Sequence, residues 1–352
     1  MQHPLTIALR RILKKTIIQM GLEAISVATH LNIFPNLSAK DVIFTLHRVE
    51  PQPSPLFNPS AHLSVTPEFL EETILALKAK NYTAIALKDV PQHLANPEST
   101  GPIMAFTLDD GYRNNLEYAL PIFKKHNIPF TVFACSGFIN RTHTMWWETV
   151  QHLANKVDHL KFDFGFGMRD MPARTLIEKY ALYENMGLDI MAGNHSESVQ
   201  QLDKLARLNG IDPKQVVDDL IMNAGELKQL SQDPLVDIGA HTVSHDNLTQ
   251  NSDDNLRYEL NQSRDEVEQI VGYRPRHLAF PYGKVANASS REFKMAKELG
   301  FDVSVITEPD VLHKDAGQDL HALHRISLNG YYQKPRYVKA LASAFAFKFK
   351  NL

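Results

Sequence analysis

Only one of the 352 residues, Cys135, is a cysteine. This excludes an internal disulfide and a cluster of thiolates around a metal. Strong charge of either sign is also missing. The 37 Lys and Arg stand against 40 Asp and Glu, a formal net charge of −3. Such a balance offers no basic excess to a polyanion, and no nucleic-acid partner is expected. Long apolar runs are absent as well. The stretch over residues 5–18 is broken by Arg10, Arg11, Lys14 and Lys15, and Gln19 and Glu23 interrupt the residues after it. A secretory signal needs an unbroken apolar run of about 7–15 residues. Neither a signal nor a spanning helix is expected, and the location read from this is cytoplasmic. Leu5, Leu9, Ile12 and Leu13 still share one helical face beside basic residues. That face suits a helix packed on the domain or one lying on a membrane surface, so peripheral membrane contact stays open.

What is present is an apolar content of 43%, enough for one large core or two smaller ones. Strand-like runs occur at Val42–Leu46, Thr83–Leu87, Ile103–Leu108, Phe130–Ala134, Val236–Ala240, His277–Phe280, Val303–Ile306 and Leu323–Leu328. Helical patterns lie between many of them. Over Pro67–Lys80, Thr66 is placed to cap and Pro67 to occupy the first turn. Asn114–His126, Asp253–Val271 and Asn287–Leu299 are others, and Asn223 with Glu226 has the spacing of a capping box. Alternating strands and helices predict a mainly parallel sheet covered by helices. Seven or eight such units predict a closed or nearly closed barrel, with its chemistry at the C-terminal strand ends. The rhythm breaks between Asn140 and Leu230, a mostly helical stretch too long for a structureless loop. The expected layout is a helical segment over 1–40, a barrel over 41–330 with an insertion at about 140–230, and a helical tail over 331–352.

Three strand ends carry polar residues. Ile103–Leu108 runs into Asp109, Asp110 and Gly111. Adjacent carboxylates repel unless a cation intervenes. Successive residues of an extended chain point opposite ways, so one can bind a metal while the other handles a proton. Val236–Ala240 runs into His241 and His245, four apart. If that segment turns helically, both imidazoles lie on one face. Two histidines and a carboxylate are a common zinc set that leaves room for water and substrate. The third run ends at Pro281, Tyr282 and Gly283. Each element alone is also what an ordinary turn or cap looks like.

Together, Thr107-Leu-Asp-Asp-Gly111, His241-Thr-Val-Ser-His245 with Asn247-Leu-Thr249, and Ala279-Phe-Pro-Tyr282 resemble the motifs of the polysaccharide deacetylase family. Thr45-Leu-His-Arg-Val49 and Ser64-Val-Thr-Pro67 are similar to further family segments. The resemblance covers roughly residues 42–135 and 223–330. It implies an α/β fold, a distorted (β/α)7-type barrel, here with a mainly helical insertion. It also implies a divalent metal, usually Zn2+, bound by Asp110, His241 and His245. Asp109 is then the base that takes a proton from the attacking water, and the Tyr282 backbone N–H helps hold the oxyanion. His47 and Pro281, in the matching segments, become candidates for contact with substrate.

The chain departs from the family at two points. Ala279 stands where many members have an arginine that pairs with the catalytic base. The late histidine expected as general acid is ambiguous between His324 and its neighbours, and Arg325 is an alternative functional residue there. Arg325 is expected to replace the absent arginine and grip Asp109, with Arg48 and Arg113 as rival donors. In the insertion, Trp146 and Trp147 are either a packed aromatic pair or a wall on which a sugar stacks. The histidines at 62, 126, 143, 152, 159 and 195 share no pattern and receive no role. The function read from all this is removal of N-acetyl groups from amino sugars of an N-acetylated glycan. A deformylase or deacetylase of a lipid-linked amino sugar is one rival, and a catalytically silent glycan-binding protein another. Nothing in the sequence speaks to oligomeric state.

Overall fold

The computed structural model describes residues 4–30, 39–51, 56–96, 98–99, 101–314, 318–343 and 347. Eight parallel strands form its main sheet: β1 (Val42–Leu46), β2 (Thr83–Ala84), β3 (Ile103–Leu108), β4 (Phe130–Ala134), β5 (Val236–Ala240), β6 (His277–Ala279), β7 (Val303–Val305) and β8 (Ile326–Ser327). The spatial order is β7-β6-β5-β4-β3-β1-β8, with β2 beside the start of β3. Ile326 pairs with Phe44 on one side, and Leu323, just before β8, bridges Val305 on the other. The sheet thus curls into a ring of seven strands, the barrel the sequence leads one to expect. β2 is shorter than its apolar run because β4 takes over that flank of β3 from Phe106 onward.

Strand alternation divides the core into two layers. Val42, Phe44, Met104, Phe106 and Phe130 face outward and join Phe123 under the helical layer. Ile43, Ala105, Phe133, Ala279, Val303, Val305 and Leu323 form a separate cluster inside the ring. The interior is therefore filled, as barrel interiors are. Local signals in the sequence set the surrounding helices. Thr66 caps Pro67–Lys78 by accepting from the Phe69 N–H at 3.2 Å. Asn223 and Glu226 close their capping box on Ala224–Ser231.

The insertion lies between β4 and β5. It comprises helices Trp146–Lys156, Leu176–Ala192, His195–Leu208, Pro213–Leu220 and Ala224–Ser231, with an antiparallel hairpin of His159–Phe162 and Arg169–Pro172. Its return path closes over the barrel mouth. Ile221 bridges Tyr112, and the Met222 N–H donates to the Gly111 carbonyl at 3.1 Å. The N-terminal helix, Pro4–His30, packs on Leu176–Ala192 and on the C-terminal helix Pro335–Leu341. Among the described residues no helix is long and apolar enough to cross a membrane.

Gly239 measures how tight the ring is. A Cβ there would stand 2.4 Å from a Phe133 ring carbon and 3.0 Å from the His277 carbonyl oxygen. Gly239→Ala is expected to lower the unfolding free energy by about 1–3 kcal/mol, the usual cost of overpacking. Denaturant titration checks this, and an unchanged midpoint would mean that the interior has slack.

Candidate active site and metal centre

The alternation that fills the barrel also delivers the first of the paired carboxylates. Along β3, Ile103 and Ala105 belong to the interior cluster, and Thr107 and then Asp109 continue that row to the mouth. Asp110 should point the other way. Its φ of 72°, followed by 80° at Gly111, puts two successive residues in the left-handed region and swings Asp110 back over the mouth. Such a φ is uncommon outside glycine and clusters at functional sites.

The two histidines converge without a helix. The segment after β5 is a loop in which Thr242 has φ 63° and His245 φ 59°, so the helical turn considered for the His241–His245 spacing is not what aligns them. The buried Glu259 carboxylate holds the loop by accepting from the Val243 and Ser244 backbone N–H groups at 2.9 and 3.0 Å. It also accepts from the Ser244 hydroxyl at 2.8 Å. The Thr242 hydroxyl oxygen accepts from the His245 N–H at 3.0 Å. The two imidazoles then meet edge to face, 5.0 Å apart.

Asp110 Oδ1 stands 3.3 Å from Nε2 of His241 and 3.3 Å from Nε2 of His245. His241 Nδ1 lies 2.7 Å from the Ala279 carbonyl and donates to it, which leaves a lone pair on Nε2. All three side chains are buried, and their ligand atoms lie within 4.8 Å of one another. Asp110 Oδ1 has no hydrogen-bond partner. Lone pairs that converge in a buried site need a positive charge between them. The donor set suits zinc and other divalent ions.

Asp109 faces a different partner. Arg325, buried inside the ring, grips it with two parallel hydrogen bonds, Nη1 to Oδ1 and Nη2 to Oδ2, each 2.7 Å. Two further donors of the guanidinium reach the Thr107 hydroxyl at 3.0 Å and the Ile306 carbonyl at 3.2 Å. Burial pushes the Asp109 carboxyl up, but Arg325, together with His241 and His47, holds the group below the usual carboxylate range. The rival donors are engaged elsewhere. Arg113 binds Glu226 and the Asp218, Asp219 and Ile221 carbonyls of the insertion, and Arg48 faces Glu148 at 3.4 Å.

The other sequence candidates gather less tightly. His47 is half-buried beside the two aspartates, Arg325 and His241, and burial lowers its pKa despite the carboxylates. Pro281 is buried in the turn after β6, where Tyr282 has φ 60°. No acceptor for the Tyr282 backbone N–H occurs among the described residues. His324 Nδ1 donates to the Glu308 carbonyl at 2.9 Å. Trp146 and Trp147 are 8% and 6% exposed, too enclosed to offer an open stacking face. The Trp147 ring instead packs on His245, 4.8 Å between centroids. The Trp146 indole N–H donates to the Tyr282 hydroxyl at 2.9 Å.

Sequence reasoning missed a chain of groups behind Tyr282. Its hydroxyl lies 3.3 Å from His195 Nε2, and His195 Nδ1 lies 2.5 Å from Asp246 Oδ1. Asp246 directly follows His245, a position that could have drawn notice. His195 opens an insertion helix, and nothing in its surroundings in the sequence marks it. Glu148 was missed too. It is buried beside Arg48, and burial raises its pKa against the pull of Arg48.

Because the Asp109 pKa is depressed in the fold, its contribution to stability is present above the unfolded carboxylate pKa. It is lost as pH falls through the folded value. Arg325→Met removes the guanidinium and leaves a buried carboxylate unpaired, an expected loss of about 3–5 kcal/mol near neutral pH. The deficit relative to wild type should shrink on acidification, as Asp109 takes up a proton. Denaturant unfolding across pH checks this, and a deficit that grows toward acid pH would contradict the pairing.

A family model for polysaccharide deacetylases matches residues 96–165 and 192–304, more than half of the chain, and the gap between the two segments falls inside the insertion. No curated protein matches the sequence. Among solved structures, the chain is similar to the deacetylase PplD of Streptococcus pyogenes, solved in complex with acetate. The TM-score is 0.54 at 17% identity, covering 86% of this chain and 97% of that one. It is also similar to IcaB from Ammonifex degensii, with TM-score 0.54, 14% identity, and 87% and 98% coverage. A polysaccharide deacetylase from Bacillus cereus gives 0.53 at 14% identity, with 86% and 69% coverage. At these identities the likeness is one of fold. With that fold, the family match and the motifs gathered at one barrel mouth, the chain belongs to the polysaccharide deacetylase family, hydrolases that act on the amide bonds of acetylated sugars.

Proposed function

We propose that this protein removes N-acetyl groups from amino sugars of an oligo- or polysaccharide. In this reading Asp110, His241 and His245 hold one divalent ion, with zinc the first expectation, and Asp109 acts as the base. The single observation that carries the reading is the pairing of two differently used carboxylates at one mouth. One faces two imidazoles across 3.3 Å, and the other is locked by an arginine at 2.7 Å. A divalent ion supplies Lewis acidity, which polarises an acyl carbonyl and acidifies water.

The protein's own groups supply the rest. Asp109 accepts a proton from the attacking water on a carboxylate oxygen, and the Arg325 fork fixes the direction in which that oxygen points. The Tyr282 backbone N–H is available to the charge that develops on the carbonyl oxygen. The departing amine needs a proton. His324, with Nδ1 committed to Glu308, offers Nε2 for that step. His47 and Pro281 border the space where the sugar would sit. Trp147 and Trp146 act one layer back, stiffening His245 and Tyr282. Residues 41–330 are the catalytic unit in this reading, with 1–40 and 331–352 as helical additions.

Acetate release from a panel of N-acetylated oligosaccharides, measured beside metal content, tests the assignment. His241→Ala is expected to lose most of the ion and the activity while remaining folded. Asp109→Asn should keep the ion yet lose about 10²-fold or more in turnover, a typical general-base contribution. A fully metallated, active His241→Ala protein would sink the metal assignment. An Asp109→Asn protein that loses the ion would mean that the two aspartates exchange roles.

A further inference from the structure

The N-terminal helix buries one side and leaves the other side apolar. Ile7, Leu22 and Ser26 are covered by the domain. Arg11 pairs with Glu184 and stacks over Tyr180, and Lys15 stands over Tyr331, so the buried side is firmly attached. On the opposite side Leu9 is 59% exposed, Ile12 64%, Leu13 51%, Ile17 66%, Met20 66% and Val27 54%. Spacings of three, four and seven keep these residues on one stripe that runs most of the helix length. Single exposed apolar residues need no explanation, but a contiguous row marks an interaction surface.

Charge decides what covers it. Arg10 and Lys14, one turn apart, are exposed along one edge of the stripe. The only acid of the helix, Glu23, is held by Lys334, Arg336 and Tyr337. A second copy meeting this face through its own would bring the same two cations and no carboxylate to receive them. An anionic lipid surface answers both features, taking the apolar row into its acyl boundary and the cations among its headgroups. No helix among the described residues is long and apolar enough to cross a membrane, so this one lies along the surface.

We propose that the helix Pro4–His30 docks the enzyme on an anionic bilayer through Leu9, Ile12, Leu13, Ile17, Met20 and Val27, with Arg10 and Lys14 at the headgroups. One of its two helix partners in the fold is the insertion helix Leu176–Ala192, whose Tyr183 packs on Trp146. Docking therefore sets the insertion, and with it one wall of the barrel mouth, close to the membrane.

The test is co-sedimentation of the full chain with phosphatidylcholine vesicles, with and without about one third phosphatidylglycerol. Wild type should partition at least about tenfold more strongly onto the anionic vesicles, given the attraction of each surface cation. The triple variant Leu9→Gln, Leu13→Gln and Ile17→Gln keeps good helix formers at exposed positions and should lose vesicle binding with an unchanged melting temperature. The double variant Arg10→Gln and Lys14→Gln should lose the preference for phosphatidylglycerol by a similar factor. Equal partition onto both vesicle types, or none onto either, would overturn the proposal. So would a wild-type dimer by light scattering that the triple variant converts to monomer, because a second copy would then cover the face.

Discussion

A charge buried in the barrel interior organises the candidate site. Arg325 projects inside the ring, above Phe133, with its guanidinium 5.8 Å from the ring centroid, and it donates to Asp109, to the Thr107 hydroxyl and to the Ile306 carbonyl. Taking such a pair out of water costs several kcal/mol per ion before the attraction is counted. The pair is therefore a poor device for stability alone. What it does well is fix direction. A planar fork meeting a carboxylate through two parallel bonds leaves Asp109 one orientation, and Thr107 and Ile306 hold the fork from behind. On β6 the chain has Ala279, packed inside the ring, and the arginine comes instead from the residue just before the last strand.

The second constraint is backbone strain at the mouth. Asp110, Thr242, His245 and Tyr282 all have φ near +60° to +72°, a conformation that ordinary side chains resist. Strain of this kind persists only where the surroundings over-determine it. Glu259 pins the histidine loop, and the insertion returns over Gly111 and Tyr112. The Thr307 N–H donates to the Gly283 carbonyl at 2.8 Å. The site is thus held by three different parts of the chain, one of them the insertion.

Most of the barrel was legible in the sequence because alternation and turn residues are local signals. β1, β3, β4 and β5 have the bounds that their apolar runs predict. The Arg325–Asp109 contact was legible as well, since a missing arginine at Ala279 created a demand and the last strand must close beside the first. What escaped were groups joined only by tertiary packing. His195 sits in a polar stretch and reaches Tyr282 through the path of the insertion, which no periodicity encodes. The histidine spacing suggested a helical turn, whereas left-handed residues and a distant glutamate set the true geometry. Trp146 and Trp147 suited packing somewhat better than sugar stacking, and their burial agrees with packing.

In the proposed chemistry one ion at Asp110, His241 and His245 serves a base that the protein itself holds in place. Titrating a divalent ion into chelated protein, while following acetate release from an N-acetylated oligosaccharide, tests this most directly. Activity should be absent without the ion, rise in proportion to it and saturate at one equivalent per chain. Acetate release that persists in the chelated protein, or that climbs well beyond one equivalent, would contradict it.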